Sequence, residues 1–360
     1  MMRGLVVLLW LFSLAFALEL RVLLFEAPEG EVRLFGSHAV WGPAGVLFSR
    51  EGAAEYRVRY ARGQLWLEGK PVGDRLSFVP RGGDFAVRDR RYAGFLRVRV
   101  REGKALWVNV VELETYLEGV LPGEMPASFP MEALKAQAVI ARTYALSRLG
   151  SHPDYDLCAS SRCQVYLGKT EVNPRYRAAI RATAGRLLAY AGRPVKAVYH
   201  ADSGGRTASS DEVWGKTYPY LKTQPDPYTR ARLWRVTPEA NAVRAALVRF
   251  GLDLGQVAAF EVLDRTESGR IGALRVRGSK GEAVLRVPEV TSFLRALGLP
   301  STLARTEDGW TFVGRGSGHG VGLSQWGARG LAERGYAWRA ILGYYYPGTV
   351  LAPYVVEARR

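Results

Sequence analysis

The stretch from Phe129 to Gly150, "FPMEALKAQAVIARTYALSRLG", constrains this chain more than any other. Ala133, Ala136, Ala138 and Ala141 combine high helix propensity with a smooth surface that lets other elements pack closely. Ser128 is a good N-cap, Pro130 suits a first turn where its missing N–H costs nothing, and Gly150 is a stop signal. These signals predict one helix from about Phe129 to Leu149. Lys135 and Arg142, seven apart, fall on one face of it, and Gln137 and Tyr144 on another. Just before it lies "GEMP". Pro126 pushes Met125 toward extended geometry, so a single carboxylate, Glu124, sits at a stiff corner. A carboxylate near a helix N-terminus can serve the dipole. With Ser128 available as the cap, Glu124 is left without a necessary structural duty.

From Leu18 to about Val100, short runs such as "LRVLLFEA", "YRVRYARGQLWLEG" and "FAVRDRRYAGFLRVRV" alternate with period two between Gly-containing breaks. That pattern predicts a small antiparallel β unit, in which His38 is a surface or packing residue. Residues 104–123 pass from a β-like run into a short helix on which Tyr116, Leu117 and Val120 share an apolar face with Val111. A helix over about Pro174–Thr183, two strands around Ala191-Gly192-Arg193-Pro194, and helices within "TPEANAVRAALVRFG" and "PEVTSFLRALG" follow, separated by strands. The mixture reads as α+β, not as a doubly wound sheet.

The first 17 residues carry one positive charge (Arg3), an apolar run to about Phe16 and an Ala15-x-Ala17 ending, the layout of a secretory signal. The run is shorter than a membrane-spanning helix requires. With that segment removed, no stable membrane span is expected. Export gives meaning to the formal net charge of +16. An exported basic protein meets anionic envelope polymers, whereas a basic cytoplasmic one usually meets nucleic acid; no nucleic-acid partner is expected here. Cys158 and Cys163 are the only cysteines. In an exported protein they read as a disulfide; the alternative is zinc with His152 as a third ligand, for which no fourth is evident nearby.

Two further motifs carry chemical potential. In "VYHADSGGRTASSDEVWG", His200 and Ser203 precede Gly204-Gly205; a nucleophilic Ser with a His base is imaginable, but no third member orients the His. In "GRGSGHGVGLSQWGA", His319 lies among glycines that let backbone approach a ligand or build an irregular loop. The spacing is not that of a phosphate loop, and no cofactor is indicated. Gln325 and Trp326 pair a donor/acceptor with an apolar ring face, as carbohydrate sites often do.

Taken in order, "NVVELETYLEGVLPGEMPASFPMEALKAQAVIARTYAL", "DLCASSRCQVYLG", "AVYHADSGGRTASSDEVWGKTYPYLK" and "GSGHGVGLSQWGARGLAERG" resemble the stage II sporulation protein D family (the SpoIID/LytB domain) over roughly residues 88–350. The resemblance implies a SpoIID-like domain at 88–350, after a signal segment (1–17) and a β-rich region (18–87). It implies an exported protein of the periplasm or cell wall, either a peptidoglycan lytic transglycosylase or an enhancer of a cell-wall amidase. The implied partners are peptidoglycan glycan strands, by preference those lacking stem peptides. Glu124 maps onto the family's catalytic acid. The flanking motifs imply a glycan groove drawn from Gln164, Tyr166, His200, Ser203, Gly204, Gly205, His319, Gln325 and Trp326. Lys135 and Arg142 are expected to contact substrate or other acids, because a cation beside Glu124 would work against a raised pKa. Metal-bearing relatives often have His before the second Cys; here Arg162 stands there, which favours the disulfide.

One acid is chemically sufficient for such a reaction. A hydrolytic glycosidase pairs two carboxyl groups, but the 6-hydroxyl of a muramic sugar can act as an internal nucleophile, with proximity replacing the second catalyst. The acid must then be protonated near neutral pH, which burial among neighbours such as Met125 can achieve.

Overall fold

The computed structural model describes residues 18–171 and 173–354; the signal segment expected at 1–17 lies outside them. The period-two runs form two sheets. A seven-stranded sheet has the spatial order Leu157–Cys158, Glu19–Glu26, Lys104–Glu112, Phe95–Arg101, Arg75–Pro80, His38–Gly42, Gly45–Arg50. A six-stranded sheet begins at Arg90–Tyr92 and ends at Lys70–Gly73. Their inward residues, among them Val22, Leu76, Phe78, Val32, Tyr56 and Val58, belong to one core, with the ring of Tyr56 in one sheet tilted against that of Phe78 in the other, 5.8 Å apart. Alternation is what permits this: in Ala54–Ala61, Tyr56 and Val58 point inward while Glu55, Arg57 and Arg59 stay in water. His38 is fully buried and paired with the Tyr56 hydroxyl at 2.8 Å. Strand pairing runs across residue 87/88: Phe85–Val87 pairs with Arg90–Tyr92, and Glu19–Glu26 with Lys104–Glu112.

The strand Lys104–Glu112 leads directly into the helix Leu113–Glu124. Glu112 caps that helix, its carboxylate accepting from the N–H groups of Glu114 (2.9 Å) and Thr115 (2.7 Å). The helix stops where expected, because Met125 is extended (φ −140°, ψ 132°) ahead of Pro126.

The alanine-rich helix is shorter than the spacing predicts, Met131–Ser147, and Ser128 does not cap it. Pro130 occupies the cap position, extended at ψ 147°, and its carbonyl accepts from Ala133 and Leu134. Residues 126–129 form a separate turn closed by Phe129 N–H to Pro126 O. Ala133, Ala136, Ala138, Ala141 and Ala145 are all buried, and so are Gln137, Arg142 and Thr143. The helix is an axle surrounded on nearly every side, which side chains larger than alanine would not allow at those contacts. The helices Leu113–Glu124, Pro174–Ala182, Gln325–Glu333 and Trp338–Tyr345 pack around it, and the hairpin Arg186–Tyr190/Arg193–Pro194 completes a small sheet with Val350–Pro353.

One unit was not legible as separate. Residues Leu233–Arg315 have their own core, built on Val243, Phe260, Leu274, Phe293, Leu294 and Phe312. The chain leaves the scaffold and returns to it side by side: Leu233 pairs with Arg315 at the base of an antiparallel ladder, and Gly316 N–H donates to Arg232 O at 2.9 Å. The inserted unit is latched back onto the scaffold. The buried guanidinium of Arg270 donates to Ser203 O (3.0 Å) and Arg206 O (3.1 Å), while Glu212 of the scaffold accepts from Thr266 Oγ1 (2.7 Å) and Ser268 N–H.

Candidate active site

The sharp end of the Leu113–Glu124 helix delivers Glu124 to the floor of a cleft of about 580 Å³. Two glycines one turn apart on that helix make the site possible. A Cβ at Gly119 would collide with the Tyr166 ring, and one at Gly123 would meet Val165 at 2.9 Å. Their absence lets the segment 165–168 lie directly against the helix, with Leu167 N–H on Gly119 O at 2.9 Å. Val165 N–H is thereby placed 2.7 Å from Glu124 Oε1.

A relay of donors points at the same carboxyl. Tyr116 donates to Gln164 Oε1 (3.1 Å), Gln164 Nε2 donates to the Tyr199 hydroxyl (3.2 Å), and Tyr199 donates onward to Glu124. Burial raises the Glu124 pKa above the usual carboxylate range, and the bonds from Val165 and Tyr199 only partly offset it. No cation contributes to this balance. Among the described residues Glu124 is also the one carboxylate lining the cleft.

The structure brings together only part of the expected groove. His200 and His319 line the cleft, their rings 5.5 Å apart. His319 Nδ1 accepts from Val321 N–H (3.0 Å), so the ring is neutral, and burial pulls its pKa down to about 4. His200 Nδ1 donates to Val321 O (3.1 Å), leaving Nε2 as a lone-pair acceptor with no protein partner among the described residues. Gln164 supports Tyr199 from behind rather than facing the cleft.

The other expected groove residues are engaged elsewhere. Arg142 is fully buried and clamps Glu114 through two 2.7 Å bonds, so of its two expected roles it takes contact with an acid and not with substrate. Lys135 pairs with Glu132 at 2.6 Å. Tyr166 is buried against Tyr116 and donates to Asn109. Ser203 donates to Asp226 (2.7 Å) and not to His200, which removes the serine-nucleophile arrangement. Gly204 and Gly205 form the turn that follows it, Gly205 N–H bonding Ser203 Oγ. Gln325 reaches Gln137, and Trp326 packs edge-on against Phe129. In the glycine-rich loop the space serves protein packing: a Cβ at Gly318 would meet His200 at 2.8 Å, and one at Gly320 would fall on the Arg270 guanidinium.

Cys158 and Cys163 form a disulfide (Cα–Cα 5.5 Å) that closes the loop presenting Ser161 and Arg162 to the cleft. His152 stacks on Tyr155 instead of approaching the sulfurs, and no cluster of three or more metal-binding side chains occurs among the described residues.

Sequence reasoning missed the rest of the lining. Arg148, Arg162 and Lys196 come from the scaffold and Arg295 from the inserted unit. None of the four has an acidic partner among the described residues, although many other arginines here do. Lys196 instead lies over Trp214 and Tyr218.

An α+β scaffold that holds one buried carboxyl in a cleft lined by four cationic side chains defines a broad structural class. Sequence comparison narrows the class. The SpoIID (stage II sporulation protein) family model matches residues 101–190, which span the corner and its helices, and a domain of unknown function matches residues 230–322, which span the inserted unit. The chain belongs to the stage II sporulation protein D family, which is cell-wall related. It is 31% identical to an uncharacterized protein of Brachyspira hyodysenteriae over 82% of each chain. It is 29% identical to the stage II sporulation protein D of Bacillus subtilis, over 68% of this chain and 76% of that one. It is also 31% identical to the amidase enhancer of Bacillus subtilis over 66% of this chain, but spans only 40% of the enhancer's length. No helix among the described residues is long and apolar enough to cross a membrane.

Proposed function

We propose that this protein is an exported lytic transglycosylase that cleaves peptidoglycan glycan strands, with Glu124 as the single acid and base. The observation that carries this reading is a lone carboxyl, raised in pKa by burial, in a cleft without a second lining carboxylate. A two-carboxylate hydrolysis finds no second carboxylate lining the cleft among the described residues. A one-acid reaction needs only what is present. Protonated Glu124 gives its proton to the glycosidic oxygen as the bond from the muramic C1 to that oxygen breaks. The resulting carboxylate then takes the proton of the C6 hydroxyl as O6 bonds to C1. The product is a 1,6-anhydro sugar, and no water is consumed. Val165 N–H and the Tyr199 hydroxyl stabilise the carboxylate that exists between the two proton transfers.

Four cations that line the same cleft without an acidic partner among the described residues complement a strand that carries carboxylates, as muramic lactyl groups do once their stem peptides are gone. The N-terminal segment supports action in the periplasm or wall. The deciding experiment is mass spectrometry of glycan digested by the wild type and by Glu124→Gln. The wild type is expected to release 1,6-anhydro ends and the variant none, with unchanged circular dichroism. Undiminished anhydro product from the variant would remove Glu124 from the chemistry, and ordinary reducing ends would indicate hydrolysis.

The similarity to an amidase enhancer favours one second reading, a wall-binding protein that stimulates an amidase through the same cleft. It predicts no anhydro product from purified protein, and faster peptide release when an amidase is added.

A further inference from the structure

The inserted unit has no role in a one-acid mechanism, yet it supplies one whole side of the cleft. Thr291, Ser292 and Arg295, on its helix Glu289–Ala296, and the segment Pro300–Thr302 line the same space as Glu124. Arg295 is exposed, lines the cleft from that helix, and its guanidinium has no hydrogen bond or ion pair among the described residues. The scaffold's share of the lining carries Arg148, Arg162 and Lys196, equally without acidic partners among the described residues. Like charges gathered in one cleft repel each other, and among the described residues Glu124 is the one acid lining that cleft. Such an arrangement is stabilised when an anion enters.

The placement of this wall is built, not incidental. Arg270 buries a guanidinium in the scaffold to hold it. Thr266 and Ser268 dock on Glu212 next to that anchor, and Ile271 N–H bonds Thr302 O, tying the anchored strand to the lining segment (2.9 Å). Burying a guanidinium carries a large desolvation cost, offset here by its bonds to the Ser203 and Arg206 carbonyls and by the Glu212 carboxylate.

We infer that the inserted unit, Leu233–Arg315, is the substrate-gripping jaw of the cleft, and that Arg295 is its carboxylate-reading residue, working together with Arg148, Arg162 and Lys196. Thr291 and Ser292, four and three positions before Arg295 and so one turn away on the same helix face, offer hydroxyls for the neutral polar groups of a sugar strand. The ligand class is an extended carbohydrate bearing carboxylates. The family that matches this unit is a domain of unknown function. The unit's role as a jaw rests on the reading of the cleft as a glycan site, but not on Glu124 being the catalyst.

The test measures binding, not turnover. The Glu124→Gln protein is titrated, in the cold, with two probes: glycan strands stripped of stem peptides, which expose lactyl carboxylates, and the same strands with those carboxylates converted to amides. Adding Arg295→Ala should weaken binding of the first probe roughly tenfold and lower its salt dependence, while leaving the second unchanged. Arg295→Lys should keep most of the affinity. Arg244→Ala, which removes an exposed charge from the same unit away from the cleft, should change neither. Equal loss on both probes, no loss on either, or the same loss with Arg244→Ala overturns the inference. Cleavage of the probes by Glu124→Gln would overturn the catalytic assignment alone, since the difference between the two probes would still be read.

Discussion

Glu124 Oε1 accepts a 2.7 Å hydrogen bond from Val165 N–H, 41 positions along the chain. The bond ties the end of one helix to the segment that follows the disulfide loop, so the acid's protonation depends on how closely that segment lies against the helix. Two opposing influences meet at one oxygen: burial favours the neutral acid, and the N–H favours the anion.

Gly123→Ala tests that closeness. In an ordinary helix this change stabilises by about 1 kcal/mol. Here the new Cβ would meet Val165 at 2.9 Å, and overpacking of this kind costs about 1–3 kcal/mol. The clash wins. The expected outcome is a lower melting temperature, a weakened Val165 bond and a further rise in the Glu124 pKa, followed by carboxyl chemical shift against pH. A more stable protein with an unshifted carboxyl would contradict it.

Tyr199→Phe removes a donor that favours the ionised acid. With that donor gone the folded pKa rises, so the limb of the pH–rate profile on which activity falls as Glu124 ionises should move to higher pH. The plateau rate should drop roughly tenfold, the worth of one hydrogen bond to a charged group. A limb that stays put or moves down would exclude Tyr199 from the relay.

Arg142 and Glu114 should reveal themselves in stability rather than catalysis. Glu114→Ala leaves the buried guanidinium facing only the carbonyls of Ile180 and Arg186, and stranding such a charge costs about 3–5 kcal/mol. Replacing both partners with apolar residues should cost less than the single change. Chemical denaturation decides between the two orders.

Acid should loosen the fold around the glycine-rich loop. The His319 pKa is near 4 in the folded protein, below the value of about 6.5 in the unfolded chain. The unfolded state therefore binds the proton more readily. The stability His319 contributes is whole above about pH 6.5 and is lost as pH falls toward 4, at most about 3 kcal/mol. His200 is shifted in the same direction. His319→Asn should flatten the denaturation midpoint across that window, and an unchanged slope would rule His319 out as its source.

Some of this molecule could be read from its residues and some could not, for physical reasons. Alternation announced an antiparallel β unit, since Tyr56 and Val58 must face inward together, but not its division into two sheets. The proline after Met125 announced the corner. Helix spacing, however, gives faces but not depth. Lys135 and Arg142 look alike on a wheel, yet one ends in a surface pair and the other in the core. Ser128 had the chemistry of a cap, but Pro130, having no N–H to satisfy, took the position. The two glycines that seat Val165 were visible as a four-residue spacing, Gly119 to Gly123, and that was the one available clue to the partner of Glu124. The cationic cleft left no local trace. Arginine is spread along the whole chain, and only tertiary packing decides which arginines go without acids.

Arg232 and Gly316 are hydrogen-bonded neighbours, with 83 residues, Leu233–Arg315, looped out between them. To the scaffold, the chain resumes almost where it paused. A lineage can therefore lengthen, reshape or replace what hangs from that point without moving the acid, its helix or its relay, and diversification in what the protein grips can proceed while the reaction it performs stays fixed.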